Sequence, residues 1–270
     1  MPSHKYAINA VMLGDTSSLP WTNLGLWQVG IDYPQACQNL AITLANALVL
    51  NSNDYVLDLG CGWGGSLNLW QQKYNVSHID AVELQAECFQ HLGRHKALKQ
   101  INKYQGSFLN LKSLDLNSNY DAIMCIDALY HHALPHFLAS IEPFTHGRTR
   151  LGFHYLVFKS RWTSLSFLQK KKYRYLLGLA DVNLDHIYSS HQLECVLKQF
   201  GWQHTDIQIL TEPVLGGFSS YITAREKESN HIHGLDGIKI KLTAKLCHLL
   251  FKEGILDYVQ VVSYKSTESS

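Results

Sequence analysis

The 270 residues carry 46% hydrophobic and 17% charged side chains, enough apolar material for one sizeable α/β core and too much for a disordered chain. A formal net charge of +1 leaves no chain-wide basic footprint, so no nucleic-acid partner is expected. Six scattered cysteines without a CxxC pair fit free thiols in a reducing, cytoplasmic setting. No apolar run approaches the roughly 18 residues of a transmembrane segment, and MPSHKYAINAVMLGD lacks the pattern of a secretory signal.

Residues 1–18 read as a loose leader into SLPWTNLGLWQVGIDYP, a stretch rich in tryptophan and turn residues. In PQACQNLAITLANALVL, Ala36, Leu40, Leu44, Ala47 and Leu48 recur at helical steps, Pro34 suits the first turn, and NSND ends the helix. From Tyr55 strand and helix alternate: YVLDLG, SLNLWQQKY, VSHIDAVEL, AECFQHLGRHKALKQ. YQGSFLNL carries a third strand or its end. YDAIMCIDAL is continuously apolar, as a buried parallel strand should be. HFLASIEPF is helical up to Glu142, where Pro143 stops it, and TRLGFHYLVFK is the fifth strand. This rhythm predicts a mostly parallel sheet with helices on both faces.

Residues 160–190 break the rhythm with a helical, aromatic and basic segment. We read it as a lid inserted into a single domain, 1–270, with 1–50 as an N-terminal cap. SSHQLECVLKQFGW predicts a helix from an N-cap at Ser190 to a C-cap at Gly201. HTDIQILTE is a strand, 213–237 a loop with partial helix, IKLTAKLCHLLFKEG a helix and LDYVQVVSYK the last strand. The tail STESS frays.

The segment VLDLGCGWGG holds the chemistry. Gly60, Gly62 and Gly65 satisfy the dinucleotide spacing G-x-G-x-x-G, while Asp58, Gly60, Gly62 and Gly64 satisfy D-x-G-x-G-x-G. Both patterns want an acid at the end of the next strand, about 20 residues on, for ribose hydroxyls, and Glu83 stands there. Asp58 separates the two readings: a carboxylate beside the loop repels a pyrophosphate and attracts a sulfonium with an amino-acid head. The loop therefore favours S-adenosylmethionine over a nicotinamide dinucleotide.

The sequence resembles the class I S-adenosylmethionine-dependent methyltransferases across roughly residues 20 to 265. VLDLGCGWG resembles their first motif, DAVEL the second strand with its ribose acid, and YDAIMCIDALYHH the fourth-strand motif on the acceptor side. QLECVLKQFGWQHTDIQILTE and LDYVQVVSYK are similar to the late helix-to-strand passage and the antiparallel last strand. TNLGLW is similar to a segment that closes over the cofactor in the tocopherol, sarcosine/dimethylglycine and cyclopropane-fatty-acid groups. The resemblance implies a Rossmann-like sheet of seven strands, mostly parallel, plus the helical lid. It implies methyl transfer to an oxygen, nitrogen or carbon of a small-molecule acceptor. The cofactor residues it implies are Asp58, Gly60, Cys61, Gly62, Gly64, Glu83, Leu84, Ser107, Phe108 and Asp127. Trp21, Asn23, Leu24, Gly25 and Trp27 would line the closed site. Two departures stand out: Gly106-Ser107 replaces the usual Gly-Asp, and IEPFTHGRTR replaces the usual glycine turn before the fifth strand.

Proton removal from an acceptor needs a base near neutral pKa. His131 is the candidate, with Tyr130 and His132 as neighbours, because all three follow the fourth strand. Trp162, Phe167, Tyr173 and Tyr175 either wall the acceptor pocket or pack the lid, and KKKYR at 170–174 is either a solvated face or a contact for acidic substrate or anionic lipid. His231 and His233 are too few for a metal site, and no metal is expected.

Overall fold

The computed structural model describes residues 8–116, 119–228 and 232–266. One mixed sheet runs β3-β2-β1-β4-β5-β8-β7, with strands β1 (Tyr55–Leu59), β2 (His78–Glu83), β3 (Asn102–Gln105), β4 (Ala122–Cys125), β5 (Arg150–Phe158), β7 (Trp202–Ile209) and β8 (Leu256–Lys265). A two-residue strand, β6 (Tyr188–Ser189), pairs off this path with the end of β5 and makes eight. β1 to β5 pair in parallel, and β8 runs antiparallel between β5 and β7. This is the expected class I arrangement with one short strand more. The strand order reverses between β1 and β4, and such a switch point opens a crevice at the strands' carboxyl ends.

Alternation along each strand feeds two cores. On one face, α1 (Tyr33–Ala47), α2 (Gly65–Lys73) and α3 (Ala86–Arg94) bury Leu44, Leu67, Trp70 and Leu92 against Val56, Ala81, Met124 and Val262. On the other, α4 (Leu134–Ile141) and α6 (Ser190–Gln199) bury Phe137, Leu138 and Leu193 against Leu57, Ile123, Phe153 and Val261. A third cluster joins α5 (Phe167–Leu179), α7 (Gly217–Glu228) and α8 (Gly234–Glu253) to Tyr33, Leu156, Leu256 and Tyr258.

Several expectations are corrected. Residues 8–18 are tied down: Tyr221 donates to the Leu13 carbonyl at 2.6 Å and Arg225 to that of Met12 at 2.7 Å. The N-cap of α6 is Ser189, because its capping box needs a glutamine three residues on, and Gln192 is there; the same step from Ser190 reaches Leu193. YQGSFLNL holds the end of β3 at Gln105, one of the two expected readings. The stretch after Glu212, expected as a loop with partial helix, starts as a π-helical turn, Glu212–Gly216, continuous with α7. His231 and the STESS tail from residue 267 lie outside the described residues.

Gly152 sets how closely α1 approaches the sheet. A Cβ there would come within 2.7 Å of Leu48 and 2.9 Å of Leu44. Overpacking of this kind costs about 1–3 kcal/mol, so Gly152→Ala should lower unfolding free energy in urea by that amount, and Gly152→Val by more. An unchanged urea midpoint in Gly152→Ala would mean that the helix is not held against the glycine.

Candidate active site

A cleft of about 200 Å³ opens over the carboxyl ends of β1, β2 and β4. Its floor is the glycine turn. Gly60, Gly62 and Gly64 all have positive φ, at 74°, 55° and 93°, which side-chain-bearing residues rarely adopt. The Gly60 amide donates to the Val82 carbonyl at 2.8 Å, fastening the turn to β2. Glu83, buried at the end of β2, accepts the Gly62 amide at 2.8 Å through one oxygen and the Gln85 amide at 2.8 Å through the other. Asp58, buried at the end of β1, accepts the Trp70 indole N–H at 2.7 Å. Burial raises its pKa from 3.8 to about 6, against the lowering effect of bonds from Ser66 and Trp70.

The roof is the strap of residues 20–27. The Asp15 carboxylate accepts the Trp21 amide at 2.7 Å. Asn23 reaches the Cys37 carbonyl at 3.3 Å, and Tyr33 donates to the Asn23 carbonyl at 2.9 Å. Trp21 lies over the first turn of α2, where a Cβ on Gly65 would be 2.7 Å from its indole. Asp127, just past β4, ties this strap to the sheet. One of its oxygens accepts the Leu24 amide at 2.7 Å and the other the Tyr258 hydroxyl at 2.8 Å. Its own backbone is left-handed, φ 53°, and its amide donates to His154 Nδ1 at 3.3 Å. Burial raises the Asp127 carboxyl from 3.8 to about 6, opposed by hydrogen bonds from Tyr258, Leu24 and Tyr130.

The structure brings Asp58, Gly60, Cys61, Gly62, Glu83, Leu84, Phe108, Asp127, His131 and His132 to this cleft, with Trp21 and Asn23 from the strap. The remaining candidates stand elsewhere. Gly64 packs inward, where a Cβ would meet Leu92 at 2.6 Å. Ser107 Oγ accepts the Leu109 amide at 3.2 Å, so it shapes the turn after β3. Trp27 stacks on Tyr221 with ring centres 4.3 Å apart, and its indole N–H donates to the Leu24 carbonyl at 2.8 Å. Leu24 and Gly25 meet the sheet and α1 rather than the cleft: a Cβ on Gly25 would sit 2.8 Å from Ala36. Tyr130 is half-buried against Asp127 and Tyr258. Of the lid aromatics, Trp162 stacks on Phe158 at 4.5 Å, Tyr173 is buried and donates to Glu253, and Phe167 and Tyr175 face solvent; none walls the cleft.

At the mouth, His131 Nδ1 lies 3.3 Å from the Asp181 carbonyl. A carbonyl only accepts, so in this pair Nδ1 is the donor. Burial and then the neighbouring His186 push His132 below the ordinary histidine range. Sequence reasoning missed Thr22, Trp63, Gln85, Cys88 and Ala128, which also line the cleft. Trp63 and Gln85 adjoin motif residues, so their position next to the loop and the acid was the available signal. Among the described residues no group of three or more potential metal ligands occurs, and no helix is long and apolar enough to cross a membrane.

This sheet, with its glycine turn and strand-end acid, has the class I methyltransferase fold. Residues 56–144 match the family model described as Methyltransferase domain. Over 99 residues the chain is 30% identical to a Pseudomonas putida protein described as "Probable fatty acid methyltransferase"; the match spans 36% of this chain and 25% of that relative. A geranyl diphosphate C-methyltransferase from Streptomyces coelicolor A3(2), solved with S-adenosyl-L-homocysteine, superposes with a TM-score of 0.71 at 16% identity, covering 95% of this chain and 92% of that one. A cyclopropane synthase from Mycobacterium tuberculosis superposes with a TM-score of 0.74 at 15% identity, covering 98% and 95%.

The raised Asp127 pKa makes a signed prediction. Between about 6 and 3.8 the native carboxylate takes up a proton before the unfolded one does, so the cost of its buried charge, present in full above pH 6, is relieved as pH falls. Urea unfolding of wild type and Asp127→Asn at pH 7 and pH 4.5 should show the difference between them shifting by about 1–3 kcal/mol in favour of wild type at the lower pH. A pH-independent difference would mean that Asp127 ionises normally.

Proposed function

We propose that this chain transfers a methyl group from S-adenosylmethionine to an oxygen, nitrogen or carbon of a small-molecule acceptor. The observation that carries the proposal is the charge of the cleft: Asp58, Glu83 and Asp127 line it, and among the described residues no lysine or arginine does. A dinucleotide brings an anionic pyrophosphate, which such a lining opposes; a sulfonium with an ammonium group matches it. The residues fit the cofactor in kind. Glu83 brings both carboxylate oxygens to the strand end beside the glycine turn, where ribose hydroxyls would donate to them. The glycine turn admits close approach, Phe108 and Leu84 offer apolar surface to an adenine, and Asp58 faces the positively charged end.

When bound, S-adenosylmethionine supplies a methyl group on a positively charged sulfur, open to in-line displacement. The chain's own residues do the rest. Trp21, Thr22 and Asn23 cover the glycine turn and exclude water from it. His131, its ring oriented by the Asp181 carbonyl, is the base we assign to an acceptor hydroxyl or acidic carbon. Positioning the acceptor carries much of the barrier reduction, as in any displacement between two held partners. The fatty-acid, isoprenoid and cyclopropane-forming activities named for the similar proteins support a small apolar or lipid acceptor.

Thermal unfolding with S-adenosylmethionine, S-adenosylhomocysteine and NAD⁺ in parallel tests the cofactor. At 100 times its Kd a ligand adds about 2.7 kcal/mol, roughly 5–10 °C for a chain this size. A rise with the two sulfur nucleosides and none with NAD⁺ is expected; a rise with NAD⁺ alone overturns the reading. Once an acceptor is found by its gain of one methyl in mass, His131→Ala should cut turnover by about 10²-fold or more while S-adenosylhomocysteine still raises the melting temperature. Unchanged turnover would remove His131 from the chemistry.

A further inference from the structure

We propose that the outer face of α5 is a docking surface for a membrane containing anionic phospholipid. The helix opens with a capping box between Ser166 and Gln169, so its register is fixed. At about 100° per residue, Leu168, Tyr175 and Leu179 fall within about 40° of one another on the helix wheel. They are 76%, 68% and 58% exposed, and Phe167 beside them is 70% exposed. Tyr173 and Leu177 point the opposite way and are buried in the core. The helix therefore has an inner apolar face that is covered and an outer one that is not.

Charge identifies the occupant. Residues 159–180 hold six cations, Lys159, Arg161, Lys170, Lys171, Lys172 and Arg174, and no acid. Lys159, Lys172 and Arg174 pair with Asp257, Glu253 and Asp185 of neighbouring elements, which leaves the segment an excess of three positive charges in a chain whose net charge is +1. Lys171 and Lys172 flank the apolar stripe on either side of the wheel. The Lys171 ammonium group sits 4.9 Å over the Phe167 ring, which places charge beside exposed apolar surface as an interfacial helix requires; Lys170, on the inner side of the wheel, covers Trp162 instead. A second copy of the chain would bring the same cations against these, and a nucleic-acid backbone has no use for exposed leucines. An anionic bilayer surface satisfies both features, its headgroups the lysines and its acyl boundary the leucines.

The position gives the surface a purpose. Leu179 is two residues before Asp181, whose carbonyl meets His131 at the mouth of the cleft. Docking through α5 holds that mouth beside the bilayer, so an acceptor can enter from it; this last point rests on the methyl-transfer reading, the docking itself does not.

Sedimentation of the full chain, without cofactor, with vesicles of equal parts phosphatidylglycerol and phosphatidylcholine and with vesicles of phosphatidylcholine alone tests the docking. Binding to the mixed vesicles should exceed binding to the neutral ones by about tenfold and weaken in high salt. Leu168→Ser combined with Leu179→Ser, and separately Lys171→Glu, should each lose about tenfold in vesicle binding with an unchanged melting temperature. Equal affinity for both vesicles, or variants that bind as the parent does, overturns the proposal. So does a concentration-dependent dimer that the serine variant abolishes, or binding to RNA in preference to the mixed vesicles. The melting-temperature response to S-adenosylhomocysteine, read separately, reports on the cofactor reading alone.

Discussion

The Asp127 carboxylate is the junction on which the site depends. It leaves the end of β4 on a left-handed residue and binds the Leu24 amide of the strap and the Tyr258 hydroxyl of β8 at once. A buried charge is costly unless donors surround it, and here Leu24, Tyr258 and Tyr130 supply them. Because the strap is bonded through Leu24, the preceding Trp21, Thr22 and Asn23 lie over the glycine turn. Because Tyr258 is bonded, the antiparallel β8 is joined to the loop that carries the histidines.

A second pair of buried acids builds the floor. Glu83 stitches the glycine turn to the end of β2 through two amides, and Asp58 pins α2 through the Trp70 indole. Each carboxylate does structural work with part of its lone-pair capacity and still borders the cleft. The result is a concave, anionic site at the point where the strand order reverses. Its geometry suits a cation better than a phosphate, and its walls are rigid because they are strand ends and a fastened turn.

Much of this was legible along the chain. The strand, glycine turn, helix and following acid sit close together in sequence, so spacing alone located Asp58, Gly60, Gly62 and Glu83. Tyr130, His131 and His132, grouped in sequence after the fourth strand, divide in a way that was not readable: His131 and His132 face the cleft while Tyr130 turns in toward Asp127. A short 3₁₀ turn over Leu129–His131 rotates successive side chains by about a third of a turn, so neighbours diverge. Trp27 and Ser107 were misplaced for a similar reason. Each found a nearer partner, Tyr221 and the Leu109 amide, that its motif does not reveal. The lid aromatics divided between packing and solvent, which composition does not distinguish.

By itself the sequence determined what is set by local periodicity and local turns. That includes the alternating strands and helices, the parallel sheet, the glycine turn and the acid that closes it. Backbone stereochemistry and the burial of one face act over a few residues, and a few residues of pattern reveal them. Only the tertiary structure decided which carboxylate latches the strap, across 103 residues between Leu24 and Asp127. It also decided which face of α5 stays uncovered, and that His131 leans on the carbonyl of Asp181. Those outcomes turn on which buried donor meets which acceptor once distant segments pack, and that competition is settled in three dimensions.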